Sequence, residues 1–296
     1  MQKTPVFKGS CTAMVTPFDE HGIDYERVRQ DLDFQYENGT AALVVCGTTG
    51  EAATLSEDEH NELVRFVILQ NAGRMKVIVG VGSNDTRRAL RAAEHAKAAG
   101  ADAILMVTPY YNKTTQAGLI EHFTCVADRV EIPMILYNVP SRTGIGLTAE
   151  TCKVLSAHPN IVGIKEASGD ITLGTRIRSL CGDDLVLWSG NDDCTLPLMS
   201  LGAQGVISVA SNIVPGAVAK LCSLCLEGAF AEATALYSRY AALISALFIE
   251  TNPIPVKAAM KLMDMDSGIL RLPLVEISAE HRAVLLTAMR DVGIHV

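Results

Sequence analysis

Ile161-Val162-Gly163-Ile164-Lys165-Glu166 starts as a short apolar run and ends on two charges. Consecutive apolar positions over so few residues suit a strand covered on both faces, as in a parallel sheet. Seven further runs read the same way, near 11–15 and over 42–46, 77–81, 103–107, 134–137, 185–188 and 205–209. Between them lie helical patterns with start and stop signals. Ser56 with Glu59 three residues later is a capping box. Asp85-Thr86 opens an Ala- and Arg-rich helix that Gly100 stops. Thr148 can cap a helix ending before Pro159, and Asp170 and Asp192 can each cap another.

Strands alternating with helices pair in parallel through right-handed crossovers. Eight such units predict an α/β fold, a (β/α)8 TIM barrel. An open doubly wound sheet has the same alternation, but its G-x-G-x-x-G turn after the first strand is absent. Strand signals stop near Leu226. Residues 229–248, 256–263 and 279–292 read as amphipathic helices. The expected division is a catalytic barrel over 1–226 and a C-terminal all-helical extension over 227–296.

The chain has 296 residues, 49% of them hydrophobic, enough for one barrel of roughly 250 residues with an appendage. Net charge is -8 and no Lys/Arg run stands out, so nucleic acid is not an expected partner. The first ten residues have no signal-like apolar core, and no run of about 18 apolar residues occurs. A cytoplasmic protein without a membrane span is expected. The eight cysteines lie mostly in apolar segments and read as buried thiols. Cys222 and Cys225 form a C-x-x-C within a helical pattern. No second pair stands at zinc spacing, so no metal site is expected.

Barrel active sites lie at the C-terminal ends of the strands. After the second strand, Gly47-Thr48-Thr49-Gly50-Glu51 is a turn with N–H and O–H donors. It can hold a carboxylate or phosphate, or be turn chemistry alone. After the fourth come Thr108-Pro109-Tyr110-Tyr111-Asn112, tyrosines that either pack or relay protons. The fifth ends in Tyr137-Asn138-Val139-Pro140-Ser141-Arg142-Thr143-Gly144. Its arginine suits a carboxylate, against the alternative of a surface cation and a structural tyrosine. On the sixth, Lys165 is costly unless paired, for instance with Glu166, or neutral. A neutral amine attacks carbonyls. Nucleophile, phenol and hydroxyls on different strands share one mouth and together make an imine-forming site.

GTTGE, TPYYN, YNVPSRTG and IVGIKEASGD resemble the pyruvate-dependent class I aldolase superfamily, which includes the N-acetylneuraminate lyases. YNVPSRTG, with ETNPIPVK (250–257) and RLPL (271–274), narrows the resemblance to the dihydrodipicolinate synthase family. It extends over nearly the whole chain. The resemblance implies condensation of pyruvate with L-aspartate 4-semialdehyde through an imine on Lys165, giving 4-hydroxy-tetrahydrodipicolinate for lysine and diaminopimelate biosynthesis without metal or cofactor. Tyr137 would move protons, and Thr48 would link it to Tyr111, a residue that reaches a neighbouring subunit's site. Thr49 would hold the pyruvate carboxylate and Arg142 that of the aldehyde. Gly190 and Ile207 would line the pocket. The implied assembly is a homotetramer, a dimer of dimers.

The resemblance also implies a lysine-binding inhibitory site at Ala52, Ala53, Glu57, His60, Asn84, Arg88 and Tyr110. His60, Asn84 and Tyr110 match lysine-sensitive forms. Arg88 replaces an acid, Glu57 a histidine and Ala52 a serine, so weak or absent lysine inhibition is expected. Two rivals remain on the same scaffold. One is a sibling pyruvate aldolase such as N-acetylneuraminate lyase, which generally lacks the Arg142 position. The other is a non-catalytic small-acid binder. Gly190, Gly202 and Gly205 also suit a phosphate-binding barrel, or barrel loops in general.

Overall fold

The structure, a computed structural model, describes residues 2–296. Its strands are β1 (Gly9–Ala13), β2 (Phe18–Asp19), β3 (Gly22–Ile23), β4 (Ala42–Val45), β5 (Lys76–Gly80), β6 (Ala103–Val107), β7 (Met134–Asn138), β8 (Ile161–Glu166), β9 (Val186–Ser189) and β10 (Gly205–Ser208). Its helices are α1 (Tyr25–Glu37), α2 (Glu57–Asn71), α3 (Thr86–Ala99), α4 (Gln116–Val130), α5 (Pro140–Thr143), α6 (Ala149–Ser156), α7 (Ile171–Cys181), α8 (Thr195–Ser200), α9 (Pro215–Leu226), α10 (Phe230–Ala246), α11 (Ile254–Leu262) and α12 (Ala279–Asp291). Eight strands close a barrel in the order β1-β10-β9-β8-β7-β6-β5-β4, and β1 pairs β4 in parallel. This is the expected (β/α)8 barrel, and α10–α12 follow it. The two-residue strands β2 and β3 form an antiparallel hairpin that no sequence pattern announced.

Strand side chains alternate between the lumen and the helical layer, because the pleat has period two. Ile135 and Tyr137 of β7 join the lumen cluster with Cys11, Val44, Trp188 and Ile207. Met134 and Leu136, one position out of phase, pack with the helices. On β8, Ile164 packs with the helices, so Gly163 and Lys165 fall on the lumen side. A Cβ on Gly163 would lie 2.4 Å from Trp188 Cζ3, so glycine there makes room for the indole. Trp188 stacks on Phe7 at 5.0 Å and fills the lumen below the site. Lys165 stands beside Tyr137 on one side and Trp188 on the other in the strand register.

The helix signals behave as expected, with one exception. Ser56 and Glu59 form the reciprocal capping box, and Gly100 ends α3 in the left-handed conformation. Thr148 and Asp170 accept from backbone N–H groups at their helix starts. Asp192 caps nothing. It lies inside a short 3-10 turn preceding α8, buried, with its carboxylate turned back to Ser208 Oγ (2.5 Å) and to the N–H groups of Val209 and Ala210 (2.9 and 3.1 Å). Those three donors, at the end of β10 and just past it, satisfy it better than a helix start open to water. Cys222 and Cys225 are buried on α9, and burial pushes both thiols up.

Candidate active site

Lys165 is 6% exposed. Its Nζ lies over the Tyr137 ring, 4.4 Å from the centroid. Among the described residues it makes no ion pair and no hydrogen bond. The acid that follows it in sequence is engaged elsewhere: Glu166 accepts from Asn138 Nδ2 at 2.8 Å and from the Ser168 N–H at 2.6 Å. Burial pushes the Glu166 carboxyl up, while the Ser168 and Asn138 hydrogen bonds pull it back. An ion pair with Glu166, the bland account of a strand lysine, is therefore absent. Burial raises the Cys11 thiol and the Asp192 carboxyl, and the Lys165 charge opposes both shifts.

Room for the lysine is set by Gly190. A Cβ there would stand 2.6 Å from Ala167 Cβ and 2.9 Å from Lys165 Cγ. Any side chain at 190 would displace the amine. Ile207, fully buried on β10 opposite Cys11, forms part of the lumen wall.

A cavity of about 620 Å³ opens above this layer. Thr48, Tyr137 and Arg142 line it, with Asn252 from the segment between α10 and α11. The arginine is placed by a single helical turn. Pro140 opens α5 at a position where its missing N–H costs nothing, and Gly144 closes it in the left-handed region. Thr143 anchors the turn by accepting from Thr108 Oγ1 at 3.0 Å. Arg142 Nη2 then donates to the Asn252 carbonyl at 3.0 Å.

The Gly47–Glu51 loop is held from below. Thr16 Oγ1 donates to the Gly50 carbonyl at 2.7 Å, and a Cβ on Gly50 would crowd Met14 O and Thr16 Oγ1. Glu51, left-handed at φ 53°, forms a fully buried ion pair with Lys257 at 3.0 Å. Thr49 is buried, and its Oγ1 accepts from Asn252 Nδ2 at 2.9 Å. Lys257 and Asn252 both belong to the 250–257 motif. Their contacts span more than 200 residues, and no local pattern signals them.

Tyr111 stands apart from the rest. It is 91% exposed with φ 68°, outside the cavity, whereas Tyr110 lines it. Ala52, Ala53, Glu57, His60 and Arg88 line the far end of the same cavity. There Glu57 faces Arg88 at 3.9 Å and Arg91 at 3.2 Å, and His60 Nε2 meets the Gly80 carbonyl at 2.9 Å. Asn84 is outside this lining; its carbonyl accepts from Asn112 Nδ2 at 3.0 Å. No group of three or more His, Cys, Asp or Glu among the described residues is placed to hold a metal.

Known proteins share both sequence and fold with this chain. A 4-hydroxy-tetrahydrodipicolinate synthase of Caldicellulosiruptor saccharolyticus is 50% identical over 293 residues, covering 99% of each chain. The crystal structure of dihydrodipicolinate synthase from Aquifex aeolicus superposes with a TM-score of 0.96 at 44% identity, covering 97% of this chain and 99% of that one. The chloride-inhibited dihydrodipicolinate synthase from Acinetobacter baumannii, solved with pyruvate, gives 0.95 at 42% identity, covering 97% and 99%. Residues 6–291 match the Dihydrodipicolinate synthetase family. A closed barrel with a buried, unpaired lysine at its mouth and agreement over nearly the full length lead to one conclusion: the chain belongs to the dihydrodipicolinate synthetase family.

Proposed function

We propose that this enzyme condenses pyruvate with L-aspartate 4-semialdehyde to 4-hydroxy-tetrahydrodipicolinate, a step of lysine and diaminopimelate biosynthesis. The observation that carries the mechanism is Lys165, buried at the barrel mouth with neither ion pair nor hydrogen bond and space kept for it by Gly190. Its amine adds to the keto carbon of pyruvate, and loss of water gives the imine. The iminium draws electrons from the methyl carbon, whose proton leaves to form an enamine. The enamine carbon attacks the aldehyde, whose oxygen takes a proton and becomes the hydroxyl. The substrate amine then adds to the imine carbon and displaces Lys165 as the ring closes. One water is released overall, and the imine itself is the electron sink, so the sequence of steps calls for no metal or cofactor.

Tyr137, against the lysine, is assigned the proton transfers, with Thr48 lining the same cavity. Thr49 holds the pyruvate carboxylate and Arg142 the aldehyde's carboxylate, by hydrogen bonding to a planar acceptor. Tyr111 completes the relay in a neighbouring subunit's site, which its exposure in the single chain supports. Residues 1–226 form the catalytic unit and 227–296 an extension that positions its loops. The cytoplasm, where free thiols such as Cys11, Cys46 and Cys222 stay reduced, is the compartment assigned. A coupled assay tests the substrate pair: turnover of pyruvate with aspartate 4-semialdehyde by the parent, and a rise in KM for the aldehyde of at least tenfold in Arg142→Ala, are expected. A parent that turns over only longer hydroxylated aldehydes would transfer it to the sibling lyases.

A further inference from the structure

We propose that Asn252 is a positioning residue that fixes the direction in which the Thr49 hydroxyl donates. This rests on the reading of Thr49 as the holder of the pyruvate carboxylate. Asn252 is 6% exposed and comes from the C-terminal segment, far in sequence from every strand-end motif. Its Nδ2 donates to Thr49 Oγ1 at 2.9 Å. A hydroxyl has one proton to give and two lone pairs to fill. With a lone pair filled by the amide, the proton is free for another acceptor. Among the described residues the Thr49 hydroxyl donates to no protein group, so the proton is available to a carboxylate, which only accepts. If the amide presented its oxygen instead, that oxygen would take the Thr49 proton, and a carboxylate would meet lone pairs.

Asn252 Oδ1 is buried with no partner. Among the described residues the contact with Thr49 is therefore the one hydrogen bond of this side chain, and side-chain identity at 252 decides the polarity of the carboxylate site. The same residue also serves Arg142, but through its backbone carbonyl at 3.0 Å. Any residue at 252 supplies that carbonyl. Side chain and main chain thus act on two different substrate carboxylates, and the two effects separate kinetically.

The test compares full-length parent, Asn252→Ala, Asn252→Asp, Thr49→Val and the double variant T49V/N252A in the coupled assay, with KM for each substrate. Asn252→Ala is expected to raise KM for pyruvate about tenfold, the loss of a hydrogen bond that serves a charged group. KM for the aldehyde should stay within about twofold. Asn252→Asp, the closer isostere, is expected to be worse than alanine for pyruvate. Its carboxylate takes the Thr49 proton and repels the ligand, and the deficit should shrink as pH falls and the new carboxyl protonates. In the Thr49→Val background, Asn252→Ala should add nothing. Three outcomes overturn the proposal: aspartate ranking above alanine, both KM values rising together, or an undiminished Asn252→Ala effect without the Thr49 hydroxyl. A folding defect in Asn252→Ala leaves the aspartate variant and its pH profile to decide. Absence of turnover in the parent would instead overturn the proposed function, and this inference with it.

Discussion

Arg88 and Arg91 both face Glu57 at the far end of the cavity, at 3.9 and 3.2 Å, with all three side chains more than half exposed. Two guanidiniums against one carboxylate leave this end net positive. A free lysine carries two ammonium groups and one carboxylate, and its net positive charge has the same sign as this end. Exposed pairs of this kind contribute little to stability, so their consequence is for ligands. Turnover is expected to change less than twofold in millimolar L-lysine, measured in the coupled assay. Half-inhibition at micromolar lysine would contradict the charge argument. At this scale the sequence was informative wherever a residue type was chemically out of place. Lys165 in an apolar strand, and Tyr137 two positions after Ile135, are legible because strand alternation alone points them at the lumen. Asp192 is misleading, because an acid after a strand resembles a helix cap, whereas its donors stand at the end of β10 and just past it. Asn252 was invisible as a site residue, since its partners Thr49 and Arg142 lie far away in sequence.

Among the elements, α2 carries a second role beyond its own capping. Glu59 closes the capping box and also takes both Arg271 nitrogens, at 2.9 and 2.5 Å, tying the segment before α12 to the barrel. Arg271 stacks in turn over Phe18 at 4.3 Å. The Arg271 guanidinium holds the Glu59 carboxyl down to about 2 from an ordinary 4.5. A carboxyl whose folded value is depressed adds stability above its unfolded value and loses it as pH falls toward the folded one. Glu59→Gln should therefore cost about 1 kcal/mol at pH 7, allowing for solvent screening of a partly exposed pair. The gap between parent and variant should narrow below pH 4.5 and fall to under half by about pH 3. Urea denaturation of both proteins at a series of pH values checks this, and a gap that widens on acidification would contradict it. The capping box was readable from four adjacent residues. The grip on Arg271 was not, because periodicity carries no information about contacts made by tertiary packing. The two-residue β2–β3 hairpin leaves no signal for a simpler reason: it is too short to have a period.

For the molecule as a whole, the eight barrel strands were legible because each is buried on both faces and stands out as an apolar run. The C-terminal helices showed as amphipathic segments, but what they do for the site did not. Lys257, fully buried, donates to Glu51 and to the Thr16 carbonyl, joining α11 to the loop that carries Thr48 and Thr49. Removing either partner of a buried pair leaves an uncompensated charge, so this joint is a costly one to break. Tyr111 and Leu272, at 91% and 78% exposure, are large apolar groups left in water beside cavity-lining neighbours. We propose a homotetramer that covers them and delivers Tyr111 to a second site. Sedimentation velocity at micromolar protein should show one tetrameric species, and a stable active monomer would contradict it.

The central claim is that the chemistry passes through a covalent bond to Lys165. Borohydride reduction in the presence of pyruvate, followed by peptide mass spectrometry, tests it most directly. The account predicts one pyruvyl adduct per chain, on Lys165, with loss of activity in step, and neither adduct nor turnover in Lys165→Ala. An adduct on another lysine, or full turnover without any trapped species, would contradict it.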